Sequence, residues 1–376
     1  METATRRPSP TQMRALNTLF TKKNQKAKAS TDEKIIDHIL NFDPDDTTTA
    51  LKMSSQQPEF MATKPALQIP WPTGHNPVPK PLATAPDPDQ SLPRADIIIV
   101  TWTVAEALAL SDVLTPGHRS KTDWYHYKHN WSAFKPNIKK GAPSLQSDRL
   151  GSWFPTEING KSVICFKSEL HFARDGSKVP VKDLWLQLIA EVQPSLVITT
   201  GTAGGIGAKV QLGDVALTGE VRFDCKRTFK NAAFAQQTYT STLTHPTVHA
   251  HSADLMKVTT PFLPHSSRTC KIVHKTNSTF KTIDVVTTDF FAFDDSTDFF
   301  GLQSLGLAVE MGDAVLGLAC STLPNAPKWL AIRNASDPEV DGTLPYHQQV
   351  ELASRIYEKY GYWTTVNSAI ACWSVI

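Results

Sequence analysis

Six apolar or β-rich runs, separated by stretches with helical spacing, limit the folds open to this chain more than any other feature. The runs are ADIIIV (95–100), SVICF (162–166), LVITT (196–200), DVALTGEVRF (214–223), TIDVVTT (282–288) and WLAIRNAS (329–336). Between them, VKDLWLQLIAEVQ (181–193) sets Val181, Leu184, Trp185, Leu188, Ile189 and Val192 on one helix face. In LGLAVEMGDAVLGLAC, Leu307, Met311, Ala314, Val315 and Leu318 follow the same spacing, and Val350, Leu352, Ala353, Ile356 and Tyr357 line a further helix. Such alternation predicts an α/β fold: a three-layer αβα arrangement with a central mixed sheet flanked by helices on both faces.

Composition changes sharply near Arg94. Residues 1–93 are polar, with a basic start (Arg6, Arg7, Lys22, Lys23, Lys26, Lys28) and a proline-laden end running from Pro65 to Pro93. These read as a disordered or weakly structured arm. Within it, TDEKIIDHILNF (31–42) can form one short helix with Ile35, Ile36, Ile39 and Leu40 on a single face. Residues 94–376 are expected to form the folded α/β domain. An insertion at about 115–159 interrupts them, in which KTDWYHYKHNWSAFKPNIKK interleaves aromatic and basic residues.

The net charge of +2 points to neither nucleic acid nor a membrane surface. Five scattered cysteines argue against a disulfide framework or a zinc site and suit a reducing cytosol. With no apolar run near the length of a membrane span and no signal-type segment, the expected location is cytoplasmic.

The stretch VITTGTAGGIGAKVQLGDV (197–215) resembles a phosphate cradle, but its glycines fit neither common nucleotide template. A dinucleotide fingerprint would need glycine where Val210 stands, and a Walker loop would need one at Ile206. The glycines can supply positive φ in a tight turn, or let a ligand ring approach the backbone. Three carboxylate-bearing segments bear on that choice. Glu106 follows the first strand, Glu310 and Met311 sit in AVEMGDA at the start of or inside a helix, and Asp337 follows the last strand. Ligands of open α/β sheets collect where strands end, so these groups can converge on one pocket.

Taken together, VITTGTAGGIGAKVQLGDV, VEMGDA and AIRNASDP resemble the signatures of the nucleoside phosphorylase and nucleosidase superfamily, with bacterial methylthioadenosine/adenosylhomocysteine nucleosidases the nearest match. The resemblance runs from about Ala95 to the carboxyl end. It implies that Asp337, in the Ser336–Asp337 dipeptide, protonates N7 of a departing purine, and that Glu106 activates water. It also implies that Met311 packs under the ribose, and that Phe291 flanks the base, with Phe290 or Phe293 as the alternatives in register. Thr202, Ala203 and Gly204 would form the glycine wall against the nucleoside.

Three departures from the pattern shape the expected substrate. The residue after the Glu–Met pair is Gly312 rather than a second glutamate, leaving Glu310 or Asp313 to grip the sugar. Thr199 and Thr200 stand where a phosphorylase carries its phosphate-binding arginine, which favours water as nucleophile. The basic insertion, with Arg174 beyond it, offers Lys128, His129 and Arg174 as contacts for a 5′-phosphate. The expected activity is therefore hydrolysis of the N-glycosidic bond of a purine nucleoside, or of a 5′-phosphorylated nucleotide such as AMP or ATP, with release of adenine or another free base. The alternatives are a phosphate-dependent phosphorylase, using Arg174 or Arg222, and a non-catalytic purine-binding protein. No cofactor or metal is expected. The expected partners are a small-molecule purine nucleoside or nucleotide and, by resemblance, further copies of the chain in a homo-dimer or higher homo-oligomer.

Overall fold

In the computed structural model the described residues are 25–46, 66–243, 246–264, 269–280 and 282–376; Arg6, Arg7, Lys22, Lys23 and Pro65 lie outside them. Nine strands form the body of a mixed sheet: β1 (Ile97–Thr101), β2 (Gly151–Ile158), β3 (Lys161–Ser168), β4 (Leu196–Gly205), β5 (Val215–Thr218), β6 (Glu220–Phe223), β7 (Val285–Thr287), β8 (Ala308–Glu310) and β9 (Lys328–Asp337). Five helices matter for the site: α1 (Gln25–Asn41), α2 (Val104–Leu114), α3 (Pro180–Val192), α4 (Asp313–Cys320) and α5 (Tyr346–Ser374).

Alternate residues of the central strands feed opposite faces, as a period of two requires. Ile98, Val100, Val197 and Ala331 join the core under α3 and α4, whereas Ile97, Ile99, Ile198, Leu330 and Ile332 join the core under α2 and α5. This is the expected αβα sandwich. The sheet is parallel where β1 runs beside β3 and β4 and where β4 runs beside β9; β8 pairs antiparallel with β4.

Several expectations need correction. Ala308–Glu310 is a strand, and α4 begins only at Asp313, so Glu310 and Met311 sit at a strand end rather than in a helix. The apolar residues of LGLAVEMGDAVLGLAC fit either element over so short a run, and pairing with β4 and β7 decides for the strand. The glycine stretch does not leave the sheet at Thr200. β4 continues to Gly205 because β9 pairs with it along its whole length. The insertion also contains β2, which is paired with β3 from end to end.

The described residues before Arg94, 25–46 and 66–93, pack on the domain, where composition suggested a disordered or weakly structured arm. α1 forms, and Ile35, Ile36, Ile39 and Leu40 are all buried against the domain. Each such burial contributes about 1.5–3 kcal/mol, enough to hold a short helix of weak intrinsic stability. Downstream, the proline-rich stretch lies along the domain as a strap. Val78–Pro79 pair antiparallel with β2, the Trp71 ring lies 4.9 Å from that of Trp373, and Trp373 Nε1 donates to His75 O at 2.6 Å. Prolines suit this role because little chain entropy remains to be lost on docking.

Among the described residues no helix is long and apolar enough to cross a membrane, and all five cysteines are buried without a disulfide. Trp373 is fully buried at the junction of strap and sheet. Trp373→Ala is therefore expected to destabilise the fold by about 3–5 kcal/mol, read as a lower urea midpoint.

Candidate active site

The pocket forms where two strands share one edge of β4. β1 pairs with Leu196–Thr199 on that edge and β8 with Gly204–Gly205, so Thr200–Ala203 face a gap between them. Glu106 fills the gap. It occupies the third position of α2, where it closes a capping box with Thr103. Its Oε2 accepts from Thr101 Oγ1 at 2.7 Å, Trp102 N at 3.0 Å and Thr103 N at 2.9 Å. Its Oε1 accepts from Thr202 N at 2.8 Å and Thr202 Oγ1 at 2.6 Å. Burial by itself would raise the pKa of this carboxyl. The Arg333 charge and the surrounding donors outweigh burial and hold it below the ordinary range, so Glu106 is a fixed carboxylate.

Gly201 makes this contact feasible. Its φ is +138°, and a Cβ there would stand 2.8 Å from Glu106 Oε2 and closer still to the rest of the carboxyl. Both glycine readings of the sequence meet at this stretch: Gly201 supplies the positive φ, while Thr202, Ala203 and Gly204 face the pocket. Thr199 and Thr200 are buried in the sheet and do not line it.

At the far end of β4, Asp337 lies 7% exposed beside Gly204. The register of β9 against β4 shifts between Ala335 and Asp337, so Ser336 is an extra residue and the bulge redirects the aspartate. Ser336 Oγ donates to Asp337 Oδ1 at 2.8 Å. Burial, only partly offset by that bond, pushes Asp337 up to about 6.

Between these ends sits a buried charge cluster. Arg333 donates to both oxygens of Asp313, with Nε 2.8 Å from Oδ2. The same guanidinium lies 3.5 Å from Glu310 Oε2 and stacks 4.8 Å from the centre of the Trp102 ring. Burial and the adjacent Asp313 carboxylate push Glu310 well above the usual range, against the pull of Arg333. Glu310 also accepts from Thr287 Oγ1 and from Asp313 N. Asp313 thus supports the pocket through Arg333 and does not line it.

Of the residues singled out in the sequence, Glu106, Asp337, Thr202, Ala203, Gly204, Phe291, Glu310, Met311 and Ser336 all line one pocket. Phe291 does so, whereas Phe290 and Phe293 pack elsewhere in the core. The three phosphate candidates are not brought in. Lys128 pairs with Asp148, His129 with Glu191, and Arg174 with Asp37 and Glu33. Arg222 does not line the pocket either. Charge complementarity within the chain accounts for these three residues.

Arg333, Trp102, Tyr357, Ile39, Leu40 and His171 also line the pocket, although the sequence did not single them out as pocket residues. A charge in the middle of the apolar run WLAIRNAS was a usable signal for Arg333, because a buried arginine needs acidic partners. His171 is driven down to about 3, first by burial and also by Arg174 and Arg333, and is therefore a neutral imidazole.

A family model described as the phosphorylase superfamily matches residues 159–359, more than half of the chain. Among solved structures, the chain is similar to the 5′-methylthioadenosine/S-adenosylhomocysteine nucleosidase of Neisseria meningitidis in complex with methylthio-immucillin-A. That match has 17% identity and a TM-score of 0.43, covering 74% of this chain and 97% of that one. It is also similar to a futalosine hydrolase mutant of Helicobacter pylori, at 13% identity and a TM-score of 0.44, covering 76% of this chain and 98% of that one.

Two expectations test this geometry. Gly201→Ala forces Glu106 out of its donor cage and strains the backbone, so thermal melting of the variant should show a large loss of stability. Asp337 gives the second. Its pKa is 3.8 as a free side chain and about 6 in the fold, so the folded state holds the proton more tightly. That preference stabilises the fold fully below the lower value and is lost as pH rises through the upper one. Asp337→Asn, which cannot ionise, should be more stable than the parent by on the order of 2–3 kcal/mol above about pH 7, and by roughly half that near pH 5. Urea titrations at the two pH values check this.

Proposed function

The chain belongs to the phosphorylase superfamily, and from that premise we propose that it is a purine nucleosidase, cleaving the N-glycosidic bond with water and releasing the free base. The observation that carries this reading is the pairing of two carboxyls of opposite character across one pocket. Asp337, raised to about 6, can hold a proton near neutrality, while Glu106 is held as an anion.

Asp337 donates its proton to N7 of the purine. The C1′–N9 bonding electrons then pass into the base, which leaves neutral, while the sugar becomes oxocarbenium-like. Water attacks C1′ and loses its proton to Glu106. Water bonding to such a carbon becomes strongly acidic, so a carboxylate of depressed pKa suffices as acceptor, by analogy with glycoside hydrolysis. Before that step the Glu106 charge stabilises the developing cation. Phe291 flanks the base and Met311 the sugar. Arg333 holds Asp313 and Glu310 in place beneath them. The product proton on Glu106 and the vacancy on Asp337 are reset through solvent.

The pocket supports a nucleoside over a 5′-phosphorylated nucleotide. The cations proposed for a phosphate are engaged outside it, and Arg333 within it is taken by Asp313. The same placement favours hydrolysis over phosphorolysis, since Arg174 and Arg222 lie away from the lining. We place the catalytic domain at residues 94–376, with α1 and the proline-rich strap docked onto it, and adenine is the first base to test.

The pure protein incubated with adenosine, methylthioadenosine, guanosine and AMP, with and without phosphate, should release free purine in the absence of phosphate; strictly phosphate-dependent turnover would point to the phosphorylase reading instead. Asp337→Asn should lower kcat by about 10²–10⁴-fold. The pH profile of kcat/KM should fall above about 6, as Asp337 loses its proton, and hold through the mildly acidic range in which Glu106 stays ionised.

A further inference from the structure

We infer that helix α1 is a cover over the active-site pocket, and that its residues Ile39 and Leu40 form an apolar end wall that selects a substrate uncharged at the end away from Asp337; the nature of the ligand beneath rests on the nucleosidase reading. α1 lies outside the matched family region, yet Ile39 and Leu40 both line the pocket.

The seat of the helix fixes which end it closes. Tyr357 on α5 donates its hydroxyl hydrogen to Ile39 O at 3.0 Å, and its oxygen lies 3.1 Å from Thr103 Oγ1. Thr103 caps the helix that carries Glu106, so Ile39 stands at the Glu106 end and Asp337 at the other. A phosphate pressed against Ile39 and Leu40 would shed its hydration with no cation to replace it, because His171 is neutral there and Arg333 is engaged.

The cover is latched by charge, and this is where the basic insertion finds its use. Arg174, 5% exposed, grips both oxygens of Asp37 at 2.5 and 2.9 Å. Lys139 and Arg174 share Glu33, Lys121 pairs with Asp43, Arg119 with Asp45, and His38 meets Glu358 at 2.6 Å. Lys139, Arg119 and Lys121 are about half exposed, so their pairs are weak and screened by salt. The pair of buried Arg174 with half-exposed Asp37, and four apolar side chains, hold the helix down between openings.

Two measurements on the full chain test this. Amide hydrogen exchange of α1 should slow at least about tenfold when a non-hydrolysable C-nucleoside analogue of adenosine is added, because its sugar end packs beneath Ile39 and Leu40, and should quicken when salt is raised from about 0.05 M to about 0.5 M. In steady-state kinetics, Ile39→Ala with Leu40→Ala should lower the preference for adenosine over AMP in kcat/KM by about tenfold. Arg174→Gln should quicken α1 exchange and change turnover of adenosine and AMP alike. If Arg174→Gln selectively lost AMP turnover, Arg174 would be a phosphate ligand and the cover inference would fall. Base release with α1 exchange indifferent to the analogue also overturns it. Protection of α1 by the analogue without any base release from adenosine would leave the cover standing and sink the nucleosidase reading. The exchange experiment on the parent chain needs no variant to fold.

Discussion

The Glu106 carboxylate is the contact around which this site is organised. It exists because β1 and β8 take separate parts of one edge of β4 and leave Thr202 N without a strand partner. A buried peptide N–H needs an acceptor, and a carboxylate supplied from the next helix is a strong one. The same group caps α2, answers the Arg333 charge and lines the pocket. One side chain thus satisfies the sheet, the helix and the pocket together, and Gly201 has to lack a side chain for it to do so.

Arg333 is the counterpart of that anion. Around it stand three acids, and one guanidinium cannot neutralise all of them. Asp313 takes the bidentate contact, Glu106 takes neutral donors, and Glu310 is left disposed to keep a proton. Asp337 is raised by burial, with no cation among the described residues pulling it back. The difference between a raised Asp337 and an ionised Glu106 follows from their surroundings, without any difference in the carboxyl groups themselves.

Much of this was legible in the residues. Strand and helix periodicity gave the layers, and the three short motifs, with Glu106 after the first strand and Phe291 after TIDVVTT, named many of the residues that line the pocket. Less was legible where two chain segments distant in sequence answer each other. Nothing local in Glu33, Asp37, Asp43 and Asp45 announces that they pair with Lys139, Arg174, Lys121 and Arg119, so Arg174 looked like a free phosphate ligand. The strand at Ala308–Glu310 was misread for a related reason. Its identity depends on β7, 23 residues earlier, and on β4, more than 100 residues earlier, and not on its own three residues.

The pairing of α1 with α5 has a bearing on how the molecule is assembled. His38 meets Glu358 across 320 positions of the chain, and Ile39 meets Tyr357 across 318. During synthesis α1 emerges long before the surface it rests on, and must wait with four apolar side chains uncovered until α5 is complete. Contacts of such span form late, after the sheet has set the positions of both partners. The pocket's end wall is therefore the last part of the site to be built, so a nascent or truncated chain that already carries both carboxyls still lacks the surface that encloses a substrate.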